Sequence, residues 1–390
     1  MKKFVAILLC LLMVLAVVAC KKTETKTETK TETKTETKTE TKTETEAKTE
    51  AKKVYNVVHL VNGNLGDKSF FDSANSGLTK LEKDGRITLK TIEMGGTDED
   101  QPKWLETLYE VAGAGEFDLI VCGTYQMPDY LKEVATKYPD QKFAIYDDTT
   151  YVGENKNVVN ISYRQNDMGY LIGVFAASMT SQTSVENIND KKVVGFVGGV
   201  DSPVINDFLY GFLKGVQDTD PEVKVDTRYV NSYVDTATAK EMALSMINDN
   251  GADIIWGVAG LSGNGAAEAA AETKKAWFIG VDSDQELTLP ADQAAICLTS
   301  GLKNVGNSLV WLFDELDAGR EHWGTEVNLG LNEGGVGIVT DKNFAKIAPQ
   351  AVQDAVKAAQ EAVAGGKISV PSAIGDTTKG AETLRDSMMP

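Results

Sequence analysis

From residue 54 onward the chain alternates short apolar runs with longer segments whose apolar residues recur every three to four positions. The short runs read as buried strands and the longer segments as amphipathic helices. Strands are predicted at 54–61, 88–94, 117–123, 142–147 and 157–162. Helices are predicted over 70–83, 102–114, 128–138 and 169–179. After the polar stretch 180–192 the pattern restarts. It predicts strands at 192–199, 223–230, 252–258 and 276–282, with helices over 204–218, 236–250 and 266–275. Strands alternating with helices build βαβ units and parallel sheets. Two successive runs of this kind predict two similar α/β lobes. In open parallel sheets ligands bind beyond the carboxyl ends of the strands, so two facing lobes define a cleft.

The first residues follow another pattern. "MKKFVAILLCLLMVLAVVAC" has two lysines and then an unbroken apolar run from residue 4 to 19. About sixteen apolar residues is short for a membrane span, which needs roughly 20, and fits a secretory signal over 1–19. Val17-Val18-Ala19-Cys20 resembles a bacterial lipobox, in which the cysteine becomes the lipidated first residue of the mature chain. Lipid chains anchor a protein to a membrane without making it span. An ordinary signal with an incidental Cys20 is the alternative.

Between residues 22 and 44 the unit Lys-Thr-Glu-Thr repeats with a period of four. A helix would stack lysine on lysine at i,i+4, and threonine is a poor helix former. With nothing apolar to bury before Ala47, the segment 20–53 reads as a disordered tether. As a flexible chain its reach is roughly 30–35 Å.

Charge narrows the partners of the remaining body. The chain carries −18 overall. The signal lysines and the lysine-rich tether are basic, so residues 54–390 carry about −22. An acidic body without a basic cluster repels nucleic acid and anionic lipid. Two cysteines remain in it, Cys122 and Cys297, both in strand-like runs, and they read as single buried thiols. No metal-ligand spacing is present and no cofactor is implied.

The segments following the predicted strands carry the candidate chemistry: "NGNLGDKSFF" after the first, "GTYQM" after the third, Asp147 and Asp148 after the fourth. In the second lobe they are "GGVDSPVINDF", "AGLSGNG", and Asp282, Ser283 and Asp284. Aspartates accept hydrogens from hydroxyl or amino groups. Glycines let backbone approach, and aromatic rings stack on a ring face. This composition suits a polar small molecule with a flat ring. Blander readings compete. Phe208 lies on a stripe with Val204, Phe212 and Val216, which is first of all a core face. Asp147 and Asp282 could cap turns, Lys303 could be a solvated helix lysine, and His59 and His322 read as structural or surface residues.

The motifs "DKSF", "GFVGGVDSPVINDFLYGF", "GADIIWGVAGLSGNG", "FIGVDSDQ", "LTSGLKNV" and "GLNEGGVG" resemble those of the basic membrane protein family, whose best understood branch is the purine nucleoside receptor lipoproteins. The resemblance runs in order from about residue 57 to 339. It implies a type I periplasmic-binding-protein fold and the substrate-binding component of an ABC importer. The implied partners are a nucleoside, a membrane permease and the membrane itself through the lipid anchor. The chain would be a monomer on the outer face of a bacterial cell membrane, facing the periplasm or the exterior.

Carried over residue by residue, the resemblance implies that Phe70 stacks on one face of a purine and Phe208 covers the other. Asp147 would bind the base, Asp282 and Lys303 the ribose hydroxyls, and the Gly260 backbone would lie against the sugar. The family often has Asn directly after the first of these phenylalanines. Here Phe71 stands in that place, leaving Asn62, Asn64 or Asp67 to read the base edge. The chain of such a fold crosses between lobes more than once. Crossings are predicted near 163–166, after 282–289 and at 331–335. Lobe one is then 54–162 plus 292–325, lobe two 167–288 plus 336–370, with a tail over 371–390.

Other function classes fare worse. "GNLGDKS" is not a dinucleotide fingerprint, and two histidines make a Ser-His-Asp hydrolase improbable. A nucleoside hydrolase using an aspartate pair such as Asp147 and Asp148 is a distant alternative. A receptor for a sugar or another polar ligand, used in sensing rather than uptake, has the same ligand-binding half.

Overall fold

The computed structural model describes residues 53–148, 155–375 and 378–390. The predicted signal, Cys20 and the tether up to residue 52 lie outside them. The first half comprises β1 (Tyr55–Val61), α1 (Phe70–Lys83), β2 (Ile87–Glu93), α2 (Gln101–Ala114), β3 (Leu119–Gly123), α3 (Pro128–Lys137), β4 (Lys142–Tyr146) and β5 (Val158–Tyr163). The second runs through α4 (Gln165–Thr180), β6 (Val193–Gly198), α5 (Pro203–Thr219), β7 (Lys224–Tyr229), α6 (Thr236–Asp249), β8 (Ile254–Val258), α7 (Gly263–Thr273), β9 (Trp277–Asp282), the short α8 (Ala291–Ala294) and β10 (Cys297–Lys303). Then follow α9 (Val305–Asp317), β11 (Thr325–Leu329), β12 (Val336–Ile338), α10 (Lys342–Ile347), α11 (Gln350–Ala364) and α12 (Thr378–Met388).

The strands form two sheets of the same design. One runs β2-β1-β3-β4-β5 and closes with β11; the other runs β7-β6-β8-β9-β10 and closes with β12. All pairings are parallel except that of β12 with β10. The central strands β3, β5, β6, β8 and β9 are buried along their whole length. Helices cover both faces of such a sheet, so its strands are continuous apolar runs rather than alternating ones. Chain order reverses between β1 and β3, and again between β6 and β8. Such a switch point opens a crevice at the carboxyl ends of the strands.

Helices α4 and α5 set the base of lobe two, and glycines bring them together. A Cβ on Gly173 would sit 2.1 Å from the carbonyl oxygen of Phe212, and one on Gly211 would sit 2.0 Å from that of Asn166. Backbone thus packs on backbone, and neither position accepts a side chain without moving a helix.

The lobe boundaries depart from the prediction in two respects. β10 pairs with β9 in the second sheet, so the segment from 292 to 303 stays in lobe two. Return to lobe one begins at α9, which packs on α1, and continues to the end of β11 at Leu329. The connection of 283–296, which carries α8, returns the chain to the open edge beside β9 rather than to the other lobe. The C-terminal segment is also more than a tail, because α12 packs against α5 and β7. The three crossings are knit together. The amide of Arg164 donates to Leu329 O at 3.0 Å and that of Asn304 to Gly335 O at 2.8 Å.

Candidate functional site

The strand ends of the two sheets face each other across a cleft of about 780 Å³, part of it open to solvent. Asp67, Phe70, Phe71, Asp147, Phe208, Gly260, Asp282 and Lys303 all line it. These residues come from six separate strand-end segments. They meet because each parallel strand delivers its carboxyl end to the same edge of its sheet, and the two switch points face each other.

Aromatic walls come from both lobes. Phe70 opens α1, and its ring meets Phe71 edge-on with centroids 5.1 Å apart and Tyr146 at 5.5 Å. Phe208 sits in the second turn of α5, 2% exposed, with Trp256 behind it at 6.1 Å. The stripe Val204–Phe208–Phe212–Val216 therefore does both jobs that the sequence allows. Val204 and Phe208 line the cleft, while Phe212 and Val216 are core. Phe71 lies over Gly63, where a Cβ would be 2.2 Å from its ring. The glycine leaves the space that the ring fills.

Beneath the rings lies a polar floor. The ammonium of Lys303, at the end of β10, donates to Asp147 Oδ1 at 2.5 Å, and both side chains are buried. The same ammonium lies 4.5 Å from the Phe208 ring centre, 5.7 Å from that of Phe70 and 5.6 Å from that of Tyr163. Lys303 is thus no solvated helix lysine. Asp147 and Asp282 stand at strand ends with φ of 60° and 64°, in the left-handed region that non-glycine residues rarely occupy. Strain of that kind collects at functional sites. Burial pushes the Asp147 carboxyl up, and the adjacent Lys303 opposes the shift. Burial likewise pushes Asp282 up, to about 7, with Lys303 and the Ser69 hydroxyl holding it down. With three aspartates and one lysine, the lining is acidic. It favours hydrogen-bond donors such as hydroxyls over anions.

Asp67 does something else. Its carboxylate accepts from the backbone amides of Ser69, Phe71 and Asp72 at 2.8–3.1 Å, tying the loop after β1 to the start of α1. Burial raises its carboxyl to about 6 against those bonds. These bonds fix the backbone that carries Phe70 and Phe71, and Asp67 itself also lines the cleft. Gly260 begins a 3-10 turn at φ 54°, a conformation that favours glycine. His59, within β1, is fully buried, its Nε2 2.9 Å from the Tyr146 hydroxyl.

Of the other lining residues, the sequence pointed to Asn62 and the "GTYQM" segment, while Tyr233 and Val234 carried no such signal. Thr124, Tyr125 and Gln126 come from the "GTYQM" segment, and Asn62 from the loop after β1. Tyr233 and Val234 follow β7. An edge strand's loop reaches the cleft only because lobe one closes over it. Asp148, by contrast, turns away from the lining and is fully buried, holding Asn160 at 3.0 Å.

Besides the Asp147–Lys303 pair, the lobes meet at two further seams among the described residues. At one, the Ser69 hydroxyl bridges Val281 O and Asp282 Oδ2 at 3.0 and 2.9 Å, and the Lys68 carbonyl accepts from the Ser283 hydroxyl at 2.8 Å. At the other, the Tyr233 and Tyr125 hydroxyls lie 3.3 Å apart. The two lobes are thus closed on one another in this structure.

The profile of the family described as "ABC transporter substrate-binding protein PnrA-like" (Bmp) matches residues 54–373. The CD4+ T-cell-stimulating antigen of Listeria monocytogenes is 33% identical over 287 residues, 71% of this chain and 77% of that one. The ABC transporter nucleoside-binding protein BmpA of Lactococcus lactis subsp. cremoris is 30% identical over 331 residues, 81% of this chain and 88% of that one. Among solved structures, an ABC transporter solute-binding protein from Aeropyrum pernix K1 superposes with a TM-score of 0.74 at 24% identity. That match covers 86% of this chain and 100% of that one, and it shows the shared fold. Proteins of this family bind a small molecule and hand it to a permease; they do not transform it. This chain belongs to the Bmp family of PnrA-like ABC transporter substrate-binding proteins.

Proposed function

We propose that the ligand is a nucleoside, with a purine base held between Phe70 and Phe208. The observation that carries this reading is the position of Lys303. Its ammonium lies within 6 Å of a ring from each lobe while paired to Asp147. Two aromatic walls and one polar floor thus converge on a single space. A ligand with a flat ring at one end and hydroxyls at the other satisfies all three. A sugar alone offers no flat π ring to fit between two aromatic walls, and a phosphorylated ligand would face aspartates. The nucleoside-binding name of the Lactococcus lactis relative supports the same reading.

Phe71 supplies no hydrogen bond to a base edge. Asn62 is placed to do so. It is buried and lines the cleft, its Nδ2 donates to Thr124 Oγ1 at 2.7 Å, and its Oδ1 has no partner. A free buried acceptor favours a ligand edge that presents an N–H.

The test is calorimetric titration of the purified protein with inosine, guanosine, adenosine, uridine and a panel of sugars. Binding of purine nucleosides in preference to uridine and sugars is expected. Sugar binding without nucleoside binding would overturn the assignment. Import rather than sensing is the assigned use, through a permease docked on the closed lobes. We also assign a lipid anchor at Cys20 on the outer face of the cell membrane. Labelling with a palmitate analogue is expected to disappear in Cys20→Ser.

A further inference from the structure

Closure of the cleft has a second component that the ligand-facing residues do not explain. Tyr125 and Tyr233 come from different lobes, both line the cleft, and their hydroxyls lie 3.3 Å apart. Each phenol is held by its own lobe. Tyr125 lies between β3 and α3, next to Thr124, whose amide donates to Tyr146 O at 2.8 Å. Thr124 itself has φ of 77°, in the left-handed region that non-glycine residues rarely occupy. On lobe two, the Tyr233 carbonyl accepts from the Ser262 amide at 3.1 Å, and the Ser262 hydroxyl donates to Ser232 O at 3.0 Å. The Tyr233 ring lies across Gly199, where a Cβ would come within 2.3 Å of it. Beside it, Gly96 of lobe one faces Val234 of lobe two, and a Cβ on that glycine would sit 3.5 Å from the valine.

We infer that Tyr125 and Tyr233 form an interlobe gate whose hydroxyl contact holds the cleft shut and slows ligand release. The backbones that carry the two phenols are fixed in separate lobes, so the contact depends on how the lobes sit. It forms when the lobes rotate together and breaks when they part. Neither hydroxyl is committed to an ion pair, and burial pushes the Tyr233 phenol well above its ordinary value, with Tyr125 adding to the shift. The Tyr233 phenol therefore stays neutral across the physiological pH range and keeps its proton for the contact. An interaction made only in the closed state acts on dissociation rather than on encounter. A ligand long enough to hold the hydroxyls apart loses this contribution, so the pair also limits the length of what is retained.

The inference borrows the nucleoside reading only for its first probe. Tyr125→Phe, Tyr233→Phe and the double variant keep both rings and remove the hydroxyls. In stopped-flow experiments on the full chain, inosine is expected to dissociate about two- to tenfold faster from each single variant. The double variant should be no faster than the quicker single one, because either substitution already breaks the one contact. Unchanged rates, or effects that multiply, would overturn the gate. The second readout needs no ligand: hydrogen exchange of the peptide 66–72, which forms the other interlobe seam. Faster exchange there in either single variant, at an unchanged melting temperature, supports the gate. Equal exchange overturns it. If inosine fails to bind the wild-type chain, the nucleoside assignment falls, and the exchange measurement alone decides the gate.

Discussion

Phe208→Ala tests the stacking wall most directly. The side chain is 2% exposed, with the Lys303 ammonium 4.5 Å from its ring centre and Trp256 at 6.1 Å. Truncation removes one of two ring faces offered to the ligand. Base–aromatic stacking contributes about 1–3 kcal/mol per base, which corresponds to a Kd raised roughly 5- to 150-fold. The same change costs stability. A buried Phe→Ala substitution typically costs about 3–5 kcal/mol, and the lower end is expected because the new space joins an existing cleft. The two effects separate experimentally. Affinity for inosine is read by calorimetry well below the unfolding temperature, and stability by urea denaturation without ligand. Phe208→Leu is the control: it restores much of the packing volume but no π face. The stacking argument predicts that leucine recovers stability and not affinity. If Phe208→Ala is folded and binds as tightly as the wild type, or if leucine restores both, the ring is a core residue only.

Two further predictions concern the polar floor. Lys303→Met leaves Asp147 and Asp282 without their cation, and removing one partner of a buried pair costs about 3–5 kcal/mol. The loss should shrink as pH falls below about 7, where Asp282 takes up a proton; equal losses in denaturant melts at pH 7 and pH 5 would refute the pairing. Asp282, raised to about 7 by burial, binds more protons in the folded than in the unfolded chain between roughly pH 4 and 7. Its contribution to stability is fully present below about 4 and is lost as pH rises through about 7. Asp282→Asn should therefore match the wild type near pH 4 and become more stable than it above pH 7, by a few kcal/mol at most, while losing affinity for hydroxyl-bearing ligands. A gap that does not grow with pH would refute the assigned shift.

The alternation of periods along the chain was enough to name the elements. Phe70–Lys83 and Thr236–Asp249 are helices within a residue of where apolar spacing put them, because burial of one face is encoded locally. The stretch "DKSF" also placed Phe70 at a strand's carboxyl end, which a parallel sheet converts into a cleft position. Three things were settled only by the assembled fold. β10 joined the second sheet because the nearest unpaired edge lay beside β9, and no local pattern says which edge is free. Lys303 became a buried cation because Asp147, 156 residues earlier in the chain, is brought to it at 2.5 Å. Tyr125 and Tyr233 met because two lobes, each complete in its own sheet, closed on one another. Local sequence carries the free energy of forming strands and helices. Ion pairs and interlobe contacts depend on distances between segments that share no periodicity, and those distances exist only after both sheets are folded and the hinge is shut.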